Sequence, residues 1–469
     1  MAQKQQMGLI GLAVMGANLA RNIERTGFSV AVFNRREAPR KEFADRYAAG
    51  KNFIVANSLQ DFVDSLERPR RIILMVKAGE AVDEVLSQLR TLLEPGDIVM
   101  DGGNSFFRDT ERRMRECETV GVQFLGMGVS GGEEGALWGP SIMPGGEESA
   151  YREVEPVLCA IAARTEDGPC CTYIGRKGSG HFVKMVHNGI EYGDMQLIAE
   201  TYDMARRIVG LSTAEIRSLF EDWNRGPLQS FLIETAAKVV DFPDSLTEEP
   251  LVDVILDSAG QKGTGKWATQ TALDFGVPIP AISAAVDARL LSTVKEERVA
   301  AARFYGLETR GSIGDRDQFL EQLRQALYAS KICSYAQGFV LLREVSEHED
   351  YGLRLEEIAR IWKGGCIIRA VFLDRIREAF TRDPNLPNLL VDPSFRDDLI
   401  SAHHAWRTVV CAAVDAGVPV PSMSASLAYF DSYRSERLPA CLIQAQRDCF
   451  GAHTYQRVDR PGVFHTVWE

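Results

Sequence analysis

Short apolar runs and longer mixed stretches alternate along the first 180 residues. Met7 to Ile10, Val30 to Phe33, Ile72 to Val76, Ile98 to Asp101 and Phe124 to Met127 are each the length of a buried strand. Small or polar residues follow them, as in "KAGE", "GGNS" and "GVSGGEEGA". The pattern predicts parallel strands joined by helices, with a ligand held by the loops at the carboxyl ends of the strands.

After about residue 180 the period becomes helical and strand signals thin out. "DFGVPIPAISAA" from Asp274 returns as "DAGVPVPSMSAS" from Asp415. Gly210-Leu211 and Gly352-Leu353, Trp223 and Trp362, and Phe231-Leu232 and Phe372-Leu373 keep nearly the same offset. Two copies are too few for a solenoid, so two similar helical bundles packed as one all-helical domain are expected. The fold class expected is therefore an α/β Rossmann-like dinucleotide-binding domain over 1–179 and a large all-α domain with internal duplication over 180–435. A tail over 436–469 mixes aromatic and apolar residues around Arg460-Pro461-Gly462 and is stable only if it docks on something.

One helical stretch breaks the pattern. In "SGHFVKMVHNGIEYGDMQ", Lys184, His187, Asn188 and Glu191 fall at i, i+3, i+4 and i+7, where an amphipathic helix ordinarily carries its apolar stripe. Such a polar face is usually just solvated. It becomes a site if the rest of the fold covers it.

The first strand leads into Gly11-x-Ala13-x-x-Gly16, a G-x-G-x-x-G turn with alanine in the middle, and the second strand follows the intervening helix at the expected distance. An NAD site would place an acid at the end of that second strand. Here Asn34-Arg35-Arg36 stands there, and a guanidinium suits a 2′-phosphate, so the cofactor expected is NADP; the alternative is two solvated arginines. "VSGGEEGA" could hold an anion on backbone N–H groups or be a plain turn. "GQKGTGKW" has the spacing of a P-loop, but Trp267 occupies the position where Ser or Thr would hold magnesium, which leaves Lys262 as a candidate anion ligand.

Composition narrows the choice of ligand. The 469 residues are 45% apolar and 25% charged, and 53 basic against 65 acidic side chains give a net charge of −12. Nucleic acid and anionic membranes are thereby disfavoured as partners. An anionic small molecule would require cations gathered locally. Nine cysteines without C-x-x-C suit reduced thiols, and the seven histidines show no zinc spacing, so no metal is expected. No basic leader and no apolar run of about 18 residues appears, so the expected location is the cytoplasm.

Taken together, "GLAVMGAN", "DGGNS", "GVSGGEEGA", "KMVHNGIEYGDMQ", "DSAGQKGTGKW", "GGCIIR" and "LIQAQRDCFGAHTY" resemble, in order and spacing, the decarboxylating 6-phosphogluconate dehydrogenases of the pentose phosphate pathway. The resemblance implies oxidation of 6-phosphogluconate by NADP to ribulose 5-phosphate, CO₂ and NADPH, by a homodimer. It implies Lys184 as general base and Glu191 as general acid. The nucleotide would lie along Gly11, Leu12, Ala13, Val14, Met15, Gly16, Asn34, Arg35, Arg36, Val76, Lys77, Ala78 and Asn104. Asn104, Ser130, Gly131, Gly132, His187, Asn188 and Tyr192 would hold the sugar acid. Lys262 and Arg289, with Arg447 and His453 from the tail of the second subunit, would hold its phosphate end. Two places depart from the family's pattern: Arg36 replaces the usual Thr or Ser, and the segment around Arg289 is looser. A non-decarboxylating β-hydroxyacid dehydrogenase would share the first domain without needing Glu191 or the duplicated bundle. A catalytically inert NADPH sensor would share everything except turnover.

Overall fold

The computed structural model describes residues 4–307 and 313–468. Its main sheet has the order β3-β2-β1-β4-β5-β6-β7, formed by β1 (Met7–Ile10), β2 (Val30–Phe33), β3 (Phe53–Val55), β4 (Arg71–Leu74), β5 (Ile98–Asp101), β6 (Gln123–Ser130) and β7 (Ser141–Gly145). The first six run parallel, and β7 lies antiparallel to β6. This is the Rossmann-like α/β sheet expected.

Every residue of β1 and β5 is buried, because helices cover both faces, and such strands read as unbroken apolar runs. The sequence reading missed the two edge strands. β3 is only three half-buried residues, and β7 is "SIMPG", with a proline that an edge strand tolerates because its N–H is not needed in the ladder. β6 also runs past Met127 to Ser130. Its glycines are what let a helix lie directly on it: a Cβ on Gly128 would stand 2.5 Å from the Cβ of Lys184.

That helix, Ser179–Arg207, is the first of two long helices at the centre of the all-helical half; the second is Arg316–Glu349. They cross tightly, with a Cβ on Gly193 meeting Ser334 Oγ at 2.4 Å. The duplication is visible as two helix-turn-helix units. Thr264–Asp274 leads through Gly276 to Pro280–Ser292, and Pro393–Ala416 leads through Gly417 to Pro421–Tyr433. Both glycines adopt left-handed φ, +67° and +69°, and both second helices start on the proline whose fixed φ suits a first turn.

The two copies pack on each other through these second helices. Each helix start is satisfied by the long helix of the other copy. Gln337 Oε1 accepts from Ala281 N at 3.0 Å, and the Glu200 carboxylate accepts from Ser422 N at 2.8 Å and Met423 N at 2.9 Å. The copies meet again where Phe231 N donates to Arg369 O and Val371 N donates to Gln229 O, both at 3.0 Å.

The tail forms a helix, Ala440–Gly451, and a two-stranded ribbon, Tyr455–Gln456 with Val463–Phe464, around the expected turn. Buried Asp448 organises it, accepting from Thr454 N, Thr466 N and Trp468 Nε1. Among the described residues, the side-chain hydrogen bonds and ion pairs of Ala440–Trp468 close within the tail. Meanwhile Leu442, Ile443, Phe450, Val463 and Val467 are exposed. None of the described helices is long and apolar enough to cross a membrane.

Candidate active site

The polar stripe is covered. Lys184 is 6% exposed and His187 fully buried, although both lie on the face that the periodicity made look solvated. The cover comes from β6, whose glycines admit the helix, and from the "GGCIIR" loop. Gly131 at the end of β6 has φ +116°, and a Cβ there would collide with Gly365 O at 2.6 Å, so this close meeting of two backbones requires glycine.

Side chains converge inside this cover. Ser130 Oγ lies 3.2 Å from His187 Nε2, and Lys184 Nζ lies 3.3 Å from His187 Nδ1. Asn188 Oδ1 is 3.1 Å from the same Nδ1, while Asn188 Nδ2 donates to Thr264 Oγ1 at 3.2 Å. Glu191 Oε2 is 3.8 Å from His187 Nδ1, and its side chain keeps 22% exposure. The imidazole is thus held from several sides between the base candidate and the acid candidate.

Burial sets the protonation of all three groups. It lowers the Lys184 pKa from its usual 10.5, against the opposing pull of Glu191. It raises that of Glu191 above 4.5, against Lys184 and Arg289, with Asp194 adding to the rise. It also holds His187 neutral, with Lys184 adding to the effect. A dry site favours neutral amine and neutral acid over the two charges, giving a proton acceptor and a proton donor on one helix face.

The cations expected at the substrate's phosphate end divide into two groups. Arg289 stacks its guanidinium 3.6 Å from the centre of the Tyr192 ring, which places it beside the stripe despite its looser sequence context. Lys262 is exposed just before the helix Thr264–Asp274. Arg447 and His453 are exposed on the tail; Arg447 donates to Gln444 Oε1 at 3.0 Å. The segment preceding the P-loop-like stretch is a short helix, Leu251–Val254.

A cavity of about 310 Å³ opens at the carboxyl ends of β1, β2 and β4. Gly11, Ala13, Asn34, Arg35, Arg36, Val76 and Lys77 line it, as expected. Gly11 has φ +106°, and a Cβ on it would stand 2.3 Å from Met75 O, so the turn closes only on glycine. Gly16 is equally tight, its Cβ position 1.9 Å from Gly11 O. Asn34 Oδ1 accepts from Leu12 N at 3.1 Å and ties the turn to the end of β2. The helix Val14–Arg25 starts with no side-chain cap, leaving the N–H groups of its first turn, at Val14 and Met15, available to an anion. Ala78 continues the loop after Lys77, and Asn104 is exposed in the loop after β5. Glycines that no Cβ could replace, uncapped N–H groups and arginines at the far end together fit a dinucleotide carrying a 2′-phosphate.

Sequence reasoning missed several contributors. Ala81, Glu84, Val85 and Gln88 line the cavity from the helix Glu80–Leu89, a spacing that could have been read as one helical face. Arg40 Nη1 donates to Asn34 O at 2.6 Å and steadies the strand end. Cys366, its thiol pushed up to about 12 by burial, is close enough to Lys184 for each to shift the other's titration. As for metals, Glu166, Asp167 and Asp374 cluster, but Lys363 bridges all three and Arg377 holds Asp167 as well.

Two family models match the chain: the NAD binding domain of 6-phosphogluconate dehydrogenase over residues 6–175 and the 6-phosphogluconate dehydrogenase C-terminal domain over residues 180–468. The chain is 59% identical over 467 residues to a decarboxylating 6-phosphogluconate dehydrogenase of Synechococcus elongatus, with 99% of each chain covered. It is 54% identical over 466 residues to the NADP(+)-dependent, decarboxylating enzyme of Bacillus subtilis, again covering 99% of each. The solved Plasmodium falciparum 6-phosphogluconate dehydrogenase, studied in its apo form, with NADP+ and with 6-phosphogluconate, matches with a TM-score of 0.96 at 46% identity, over 99% of this chain and 100% of that one. Alike from end to end in sequence and in fold, the chain belongs to the 6-phosphogluconate dehydrogenase family.

Proposed function

We propose that the chain is an NADP-dependent oxidoreductase that converts 6-phospho-D-gluconate to ribulose 5-phosphate and CO₂, the decarboxylating step of the pentose phosphate pathway. The observation that carries this reading is the covered Lys184–His187–Glu191 face, in a chain whose glycine turn and arginines line a cavity fit for a nucleotide. Bound NADP supplies the hydride acceptor. Gly11 to Gly16 would hold its pyrophosphate, Asn34, Arg35 and Arg36 its adenosine end, and Val76, Lys77, Ala78 and Asn104 the remainder.

Lys184, pushed toward its neutral form by burial, accepts the proton of the carbon-3 hydroxyl as hydride leaves that carbon. The product is a 3-keto acid with its carboxylate β to the new carbonyl. The protonated lysine then stabilises the ketone oxygen while the bond to the carboxylate breaks and CO₂ departs. Glu191, whose hold on a proton burial strengthens, delivers a proton to carbon 1 of the resulting enediol. Ser130, Gly131, Gly132, His187, Asn188 and Tyr192 orient the sugar acid, and Lys262 and Arg289 bind its phosphate end. An acidic protein thus concentrates its cations where a doubly anionic substrate must sit.

The chain would act as a homodimer in the cytoplasm, a compartment that keeps its nine free cysteines reduced. Residues 1–179 would bind the nucleotide, 180–435 the substrate, and 436–469 would dock on the second subunit, presenting Arg447 and His453. The tail's exposed apolar residues, and side-chain hydrogen bonds that among the described residues close within it, support the docking of the tail. Incubating the enzyme with carbon-1-labelled 6-phosphogluconate and NADP tests the reading. Labelled CO₂ should appear in step with NADPH absorbance; NADPH without CO₂ would mean a non-decarboxylating dehydrogenase, and neither product an inert sensor.

A further inference from the structure

In this structure Arg35 is already occupied. Its Nη1 lies 2.8 Å from Glu84 Oε2, and both residues line the nucleotide cavity. Arg35 follows β2, while Glu84 sits on the helix that follows β4, and these strands flank β1 and its glycine turn on opposite sides. The ion pair therefore spans the cavity. Its neighbour on the helix, Asp83, is committed elsewhere, held by Arg112 and Arg113.

We propose that Glu84 is a specificity-determining residue of the nucleotide pocket, holding Arg35 in the free enzyme and opposing the 2′-phosphate once it binds. The proposal rests on the reading of this cavity as the NADP site. A 2′-phosphate calls for cations, and a plain ribose diol calls for a carboxylate. This cavity presents both, arginines from one side and an acid from the other. To grip the phosphate, Arg35 must exchange one anion for another, while the Glu84 carboxylate stays beside a dianion. With NAD no exchange is needed, and the same carboxylate can accept from the ribose hydroxyls.

The pair is weak enough to be displaced, since the two side chains are 82% and 56% exposed. Glu84 therefore trims the preference for NADP rather than abolishing it. Arg36, which has no ion pair among the described residues, is left to supply charge that Arg35 must first release.

The test is equilibrium binding to the full-length enzyme, with 2′,5′-ADP as the probe that carries the phosphate and 5′-AMP as the probe that lacks it. Glu84→Gln should tighten 2′,5′-ADP about three- to tenfold and leave 5′-AMP unchanged or weaker. The ratio of kcat/KM for NADP over NAD should rise in parallel. In an Arg35→Ala background the effect of Glu84→Gln should fall below about twofold, because the partner it releases is gone. If the unmutated enzyme prefers 2′,5′-ADP but Glu84→Gln moves both probes equally or moves neither, Glu84 is an ordinary surface partner and the proposal alone fails. If the unmutated enzyme shows no such preference and Glu84→Gln creates none, the NADP reading of the cavity falls with it.

Discussion

Lys184 Nζ and His187 Nδ1 stand 3.3 Å apart, one helical turn from each other and both cut off from water. An ammonium there would face an imidazole held neutral, and the carboxylate that pulls on it, Glu191, is itself driven toward the protonated acid by burial. The lysine is therefore driven toward its neutral form, which is the form a base needs. Since neutral lysine is the reactive species, kcat/KM should climb with pH along an acidic limb set below 10.5, the usual lysine value. Lys184→Arg keeps the charge but cannot give up its proton, so it should be inactive at every pH. A pH profile of NADPH formation checks both; appreciable activity in the arginine variant would remove Lys184 from the role of base.

Division of labour along the helix gives a second expectation. Lys184→Met should abolish oxidation and CO₂ release together, because the base acts before either. Glu191→Ala should chiefly slow protonation of the enediol, so that the first turnover produces NADPH and CO₂ faster than ribulose 5-phosphate appears. Rapid-quench analysis separates the three products. Equal slowing of all three in Glu191→Ala would place the glutamate at the first step instead.

Cofactor preference is carried by the end of β2. Arg35→Ala removes a guanidinium from the 2′-phosphate end of the cavity, a loss of about 1.5 to 3 kcal/mol for a hydrogen bond to a charged group. NADP should weaken roughly ten- to hundredfold while NAD changes little. Steady-state constants with the two nucleotides decide it, and a matching loss for both would mean that Arg35 does not read the phosphate.

What could be read from the sequence, and what could not, follows from how each feature is encoded. The central strands are apolar because both faces are covered, and the glycine turn is glycine because a Cβ on Gly11 would strike Met75 O, so one sequence suffices to find them. Edge strand β3 is only three half-buried residues, and β7 is broken by a proline and ends on glycine, so neither stands out as a run. The four stripe residues were legible, but their burial was not. It depends on Gly128, which admits the helix onto β6, and on Gly131 and Gly365, distant in sequence, whose backbones meet at the end of that strand. Glu84 was overlooked because an acid on a helix ordinarily means a solvated face, and only the fold sets it opposite Arg35.

The duplicated bundle carries its own titration. Glu200 caps the start of Pro421–Tyr433 from a buried position, and burial pushes its carboxyl up to about 7 from 4.5. A folded-state pKa raised above the unfolded one means stability that is fully present below about 4.5 and lost as pH rises to about 7, at most about 3 kcal/mol. Glu200→Gln removes the titration at the expense of about 1 kcal/mol for the N–H it can no longer satisfy. Melting temperature should therefore fall less between pH 5 and 8 in the variant than in the unmutated protein. Identical pH slopes would show that Glu200 does not titrate in this range.

The last expectation concerns the tail. Its helix and ribbon expose Leu442, Ile443, Phe450 and Val467, while its side-chain hydrogen bonds and ion pairs among the described residues close within the tail itself. A segment built this way needs a surface to cover, and if that surface belongs to the second subunit, each site draws Lys184 from one chain and Arg447 from the other. Lys184→Met and Arg447→Ala should each be nearly inactive as homodimers. In a mixed dimer, a crossing tail puts both lesions in one site and leaves the other with an intact lysine and an intact arginine. Co-refolding the two variants should then restore up to one working site per heterodimer. A tail that folds back onto its own chain gives one lesion in every site, and no activity returns. Confirmed heterodimers that stay inactive would leave the tail as packing alone and require the phosphate end of the substrate to be held by Lys262 and Arg289 without it.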